Sequence, residues 1–150
     1  MSSKVVILEN IRSLHNVGAI FRTADSSGFE KVYLCGYTGT PDDPRVAKVS
    51  LGAEDFVSWE YHEDINSCLE KLKKEGYTLM ALEQTSKAQD ILKYTHTEDS
   101  LALVVGNEVD GISGETLRQC PIHLEIPQRG QKGSLNVSVA TGIAMYQLGD

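Results

Sequence analysis

The 150 residues predict an α/β fold, a mostly parallel sheet with helices on both faces. Three observations carry that reading. Short apolar runs such as Val5-Val6-Ile7-Leu8 and Leu101-Ala102-Leu103-Val104-Val105 are continuous rather than alternating, so both faces of these strands must be covered. Between the runs lie segments of helical period. The clearest is Asp64–Lys74, where Ile65, Cys68, Leu69 and Leu72 share one face and Glu70, Lys73 and Lys74 the other. Finally, strand and helix alternate along the chain, which is the pattern of crossover connections between parallel strands. The length suits one domain spanning 1–150, with a real core and little room for a second.

The elements follow in order. After the strand at Val5–Leu8, Asn10–Gly18 reads as a polar loop, with Asn16 a natural N-cap for the helix behind it. That helix turns Ala19, Ile20 and Ala24 to the core and ends at Gly28. Val32–Cys35 is a second strand and Gly36–Pro44 a surface loop. Val46–Leu51 makes a turn or two of helix, and Phe56–Trp59 a third strand. Gly76 closes the Asp64–Lys74 helix before a strand at Tyr77–Leu82, whereas Glu83–Lys93 is polar and shows no period. Gly114–Gln119 reads as a short helix and Ile122–Ile126 as a strand. In the terminal helix Val137, Ala140, Ile143 and Ala144 form the stripe, widened by Val139 and Tyr146, with Ser134 and Asn136 as capping types at its start. In such a sheet ligands collect outside the carboxyl ends of the strands, so the loops after Leu8, Leu82, Val105 and Ile126 should share one rim.

Composition narrows the classes. No apolar run reaches the length of a membrane span, and Met1-Ser2-Ser3-Lys4 lacks a signal peptide's apolar core. Cys35, Cys68 and Cys120 are odd in number and lack metal spacing, as expected of small buried residues in a cytoplasmic protein. His15, His62, His96 and His123 are scattered, so no metal is expected. A net charge of -7 argues against a general nucleic-acid coat. The charge is uneven, however: Ile126–Ser134 carries Arg129 and Lys132 and no acid.

Three stretches hold chemistry-bearing residues. Asn16-Val17-Gly18-Ala19-Ile20-Phe21-Arg22 would be, taken alone, a capped helix with a solvated arginine. Gly106-Asn107-Glu108-Val109-Asp110-Gly111-Ile112 follows a buried strand and would be, taken alone, a βα turn with a rim carboxylate. It is neither a dinucleotide fingerprint nor a P-loop. The third is Ile126-Pro127 followed by Ser134-Leu135-Asn136-Val137-Ser138.

Together and in this order, the three stretches resemble the motifs of the SpoU (TrmH-type) branch of the SPOUT methyltransferases, and the resemblance runs from Val5 to Tyr146. It implies a C-terminal trefoil knot, which local reading excludes because knots are so rare. It implies transfer of a methyl group from S-adenosylmethionine to a ribose 2′-hydroxyl of tRNA or rRNA, with RNA and not DNA as partner. It also implies a homodimer in which the first motif of one subunit completes the site of the other. Matched position by position, Gly106, Ile126 and Leu135 fall on cofactor-contacting positions. Arg22 falls on the central catalytic arginine, and Asn16, Glu108, Ser134 and Asn136 on the polar residues around it. Arg129 and Lys132 are candidate phosphate contacts. Chemistry leaves two assignments open: Arg22 as a fork of donors for phosphate and developing alkoxide, and Glu108 as the proton acceptor. The competing expectation is a cofactor- or RNA-binding module of the same fold without catalysis.

Overall fold

The computed structural model describes residues 2–149. Seven strands, β1 (Ser3–Glu9), β2 (Lys31–Cys35), β3 (Ser58–His62), β4 (Thr78–Leu82), β5 (Gln89–Asp90), β6 (Ser100–Gly106) and β7 (Ile122–Glu125), make one sheet. Its order is β3-β2-β1-β6-β4-β7-β5, and every pairing is parallel. The helices are α1 (Leu14–Ser27), α2 (Pro44–Ser50), α3 (Ile65–Lys74), α4 (Gly114–Arg118) and α5 (Val137–Leu148).

The two most apolar runs lie side by side at the centre. Strands β1 and β6 pair in register from Ser3↔Ser100 to Glu9↔Gly106. Alternation then splits the core in two. Val6, Leu8, Leu103 and Val105 meet Ile20, Phe21 and Ala24 of α1 and Ala144, Met145 and Leu148 of α5. Val5, Ile7, Ala102 and Val104 meet Cys68, Leu69 and Leu72 of α3 on the other face. Each fully buried aliphatic side chain contributes about 1.5–3 kcal/mol by leaving water. The three cysteines are buried and free, and burial pushes the Cys120 thiol up to about 12. No helix among the described residues is long and apolar enough to cross a membrane.

Two boundaries and one buried face differ from the sequence reading. Helix α1 starts earlier, and its cap is Ser13, whose Oγ accepts the Asn16 N–H at 3.1 Å; Asn16 lies inside the first turn and is buried. Strand β3 starts at Ser58 rather than Phe56. A 3-10 turn at Ala53–Asp55 closes on Val57, which is buried, and leaves Phe56 80% exposed. In α5 the core-facing residues are Thr141, Ala144, Met145 and Leu148, whereas Ile143, Val139 and Tyr146 face outward. This helix is apolar on nearly every side, so its period could not select a face.

The polar segment after β4 holds β5, paired outside β7, and a 3-10 turn at Ile91–Lys93 that buries Ile91. Beyond it His96 Nε2 donates to the Leu148 carbonyl at the end of α5, at 3.0 Å. Helices α1 and α2 approach very closely. A Cβ on Gly18 of α1 would lie 2.6 Å from the Val46 carbonyl of α2, a gap only glycine can fill.

Candidate active site

The carboxyl ends of β4, β6 and β7 and the segment leading into α5 enclose a cavity of about 350 Å³. Leu82, Val105, Ile126, Leu135, Val137 and Ala140 give it apolar walls. Gly106 forms part of its floor and is buried. The turn after it folds back so tightly that a Cβ on Gly106 would meet the Ile112 nitrogen at 2.4 Å. The following Asn107-Glu108-Val109-Asp110 loop closes with Gly111 at φ 70, a left-handed conformation that favours glycine.

At the mouth of the cavity the three sequence stretches converge on one carboxylate. Glu108 Oε1 accepts the Arg12 N–H at 2.9 Å, and Oε2 accepts the Ser13 N–H at 2.8 Å and Asn16 Nδ2 at 3.0 Å. Asn16 Oδ1 in turn accepts Asn136 Nδ2 at 3.3 Å. Asn136 Oδ1 caps α5 by accepting the Ser138 and Val139 N–H groups at 2.9 and 3.3 Å. Partial burial pushes the Glu108 carboxyl upward, but the bonds from Arg12, Ser13 and Asn16 outweigh it and hold the group below its ordinary value. Asn107 makes a second junction. Its Nδ2 donates to the Asn10 carbonyl and to Tyr37 Oη, and its Oδ1 accepts the Val109 and Asp110 N–H groups. The loops after β1, β2 and β6 are thereby tied to one another.

Most of the sequence-derived candidates gather here. Gly106, Glu108, Ile126, Ser134, Leu135 and Asn136 line the cavity, and Asn16 joins two of them from α1. Arg22 does not line it: the side chain is exposed on α1 and makes no hydrogen bond or ion pair among the described residues. Arg129 and Lys132 are exposed on the loop before α5 and also stand outside the lining. Both Glu108 oxygens accept from N–H donors, three bonds in all, so the carboxylate ties the loop after β1 and Asn16 together. Sequence reasoning missed Asn107, Leu82 and Glu83. The only signal for the first was its place beside Glu108; the others follow directly from the end of a strand that points at the rim. Among the described residues no group of three His, Cys, Asp or Glu side chains is arranged to hold a metal ion.

The model of the SpoU rRNA Methylase family matches residues 3–146. A Staphylococcus epidermidis protein assigned to the TrmH family of tRNA/rRNA methyltransferases is 33% identical over 146 residues, covering 97% of this chain and 58% of that protein. Among solved structures, an AdoMet-bound rRNA methyltransferase from Sinorhizobium meliloti aligns with a TM-score of 0.90 at 26% identity, covering 97% of this chain and 55% of that one. The A. aeolicus TrmH/SpoU tRNA modifying enzyme aligns with a TM-score of 0.84 at 29% identity, covering 98% of this chain and 74% of that one. The chain spans 57–58% of the length of the curated relatives it matches. With all but its extreme ends inside the family model, this chain belongs to the SpoU rRNA Methylase family.

Proposed function

We propose that this chain is an S-adenosylmethionine-dependent methyltransferase acting on a ribose 2′-hydroxyl of tRNA or rRNA in the cytoplasm, with all of 1–150 serving as one catalytic domain. The observation that carries the reading is the cavity itself. It is walled by Gly106, Ile126 and Leu135, and the Asn16–Glu108–Asn136 network stands at its mouth. The cofactor fits the residues present: about 350 Å³ is within the range of small-molecule sites. The apolar walls suit an adenine ring, and no Lys or Arg lines the cavity to oppose a cationic sulfonium. When bound, S-adenosylmethionine supplies an electrophilic methyl group.

The chain's own residues have three tasks. Gly106 and its neighbours offer backbone groups at close range, where any side chain would intrude. Glu108 positions the loop at Arg12–Ser13 and the amide of Asn16, and through Asn16 it fixes Asn136. Alignment of this kind is the main requirement of an in-line methyl transfer. The guanidinium of Arg22 holds an RNA phosphate and the alkoxide developing at the 2′-oxygen, as a planar fork of donors can. The hydroxyl proton passes to solvent at the mouth, where Ser134 and Asn136 are exposed. Arg129 and Lys132 meet phosphates farther along the RNA.

Arg22 reaches a cavity in this scheme only across a homodimer. Val139, Ile143 and Tyr146 are 51%, 37% and 60% exposed on α5, an apolar stripe suited to a symmetric partner. Helices α1 and α5 touch where a Cβ on Gly142 would lie 3.3 Å from Thr23 Cγ2, so Arg22 and Ile143 each adjoin the crossing. Pairing through the stripe brings Arg22 toward the partner subunit. Mixing Arg22→Ala with Asn136→Ala chains should then restore part of the activity, because one site in each mixed dimer keeps both residues. Mixing that restores nothing, or an active monomer in sedimentation, refutes the arrangement. The trefoil knot is part of the same reading. Its support is that the segment between β4 and β6 runs outside β7 and returns to the end of α5 through His96.

The test of the function is direct. Purified protein, labelled S-adenosylmethionine and bulk unmodified tRNA and rRNA should yield 2′-O-methylated nucleosides by mass spectrometry. Label appearing only on bases, or no transfer to either RNA, refutes the assignment.

A further inference from the structure

The cavity wall carries a carboxylate that lies outside all three motifs. Glu83 follows β4, and its backbone N–H donates to the Leu124 carbonyl of β7 at 2.9 Å, which fixes its position. Its Oε1 accepts the Ile112 N–H at 2.8 Å. The chain makes space for this group: Gly111 has φ +70, and a Cβ there would stand 2.4 Å from Glu83 Oε1. Oε2 accepts from no donor among the described residues, although the residue lines the cavity. One oxygen therefore holds the carboxylate still, and the other is an unused acceptor on the wall.

Its location indicates what it could meet. In the order β1-β6-β4-β7, Glu83 lies one strand beyond Glu108, away from the side where Asn16 and Asn136 converge. Adjacent strands are about 4.8 Å apart. That offset is comparable to the step from a sulfonium to the hydroxyls of the ribose bearing it. A carboxylate only accepts hydrogen bonds, and the two hydroxyls of a ribose each have one to donate. Acidic residues play this part toward riboses in dinucleotide-binding folds.

We propose that Glu83 binds the ribose hydroxyls of the cofactor and so selects a ribonucleoside ligand; this rests on the cofactor reading above. Isothermal titration with S-adenosylhomocysteine and its 2′-deoxy and 3′-deoxy analogues tests it without requiring turnover. The wild-type chain should bind the parent ligand about 10-fold or more tightly than at least one deoxy analogue, the worth of a hydrogen bond to a charged group. Glu83→Gln is the informative variant. Its amide oxygen can still accept the Ile112 N–H, but its NH₂ cannot accept a hydroxyl. It should bind S-adenosylhomocysteine about 10-fold more weakly and lose most of the discrimination against the deoxy analogues. If Glu83→Gln binds and discriminates like wild type, Glu83 is only a tie between β4 and the Gly111 turn, and the proposal fails. If the wild-type chain binds all three ligands equally, the proposal also fails while the cofactor reading stands. If it binds none of them, the cofactor reading fails and takes this assignment with it.

Discussion

Arg22→Ala is expected to lower the single-turnover rate of methyl transfer by about 100-fold or more at saturating RNA, as loss of an oxyanion donor does. The size follows from the role proposed for the side chain: it interacts with charge that grows in the transition state, so its removal should fall on the rate rather than on cofactor affinity. Affinity for S-adenosylmethionine should hardly change, since Arg22 stands outside the cavity lining of its own chain. Arg22→Lys should recover little, because an ammonium has no planar fork to share between a phosphate and an alkoxide. Arg129→Ala and Lys132→Ala provide the contrast. They should weaken RNA binding and flatten its salt dependence while leaving the rate in the bound state near wild type. A wild-type single-turnover rate in Arg22→Ala would remove the residue from the mechanism altogether.

Glu108→Gln is expected to cost a comparable amount for a different reason. The carboxylate accepts three bonds from N–H groups with two oxygens, whereas an amide offers one oxygen and turns its own NH₂ toward those donors. The Arg12–Ser13 loop and the Asn16 amide should both shift, and a displacement of about 1 Å can cost about 100-fold in an aligned reaction. Rate measured against pH separates a clamp from a base. If Glu108 accepted the proton, the loss would narrow at high pH; as a clamp it should show no such recovery. Stability gives the complementary readout. The folded Glu108 lies below its ordinary value of 4.5, so its contribution is complete above that value and fades as pH falls through the lower folded one. The difference in melting temperature between wild type and Glu108→Gln should therefore be steady near neutrality and shrink in acid.

Much of the architecture is legible in the residues because burial on both faces leaves a plain mark. Val5–Leu8 and Leu101–Val105 could only be central strands, and they became neighbours. The rim was legible too, since glycine-bearing polar loops after strands have few other places to lie. What escaped depended on long-range contacts. Ser13 and Asn16 are both capping types, and the choice fell to Ser13 because Asn16 is drawn inward by Glu108 and Asn136, remote in sequence. The outward face of α5 escaped because Thr141 is buried by donating to the Val137 carbonyl while Ile143 is left outside. Glu108 looked like a free carboxylate because nothing local reveals that the N–H groups of Arg12 and Ser13 arrive from the loop after β1.

The pairing of β1 with β6 has a consequence for synthesis. Strand β1 precedes its partners in the sheet along the chain, and one of its edges is satisfied soon afterwards by β2. The other waits for Ser100–Gly106, a delay of 97 residues from Ser3 to Ser100 (100 − 3). At about 5–20 residues per second that is about 5–20 s on the ribosome. For that interval a nascent chain displays unpaired backbone along Val5–Leu8, the kind of apolar edge on which aggregation begins. A strand that ends buried along nearly its whole length is, during translation, the one whose second edge waits longest for its partner.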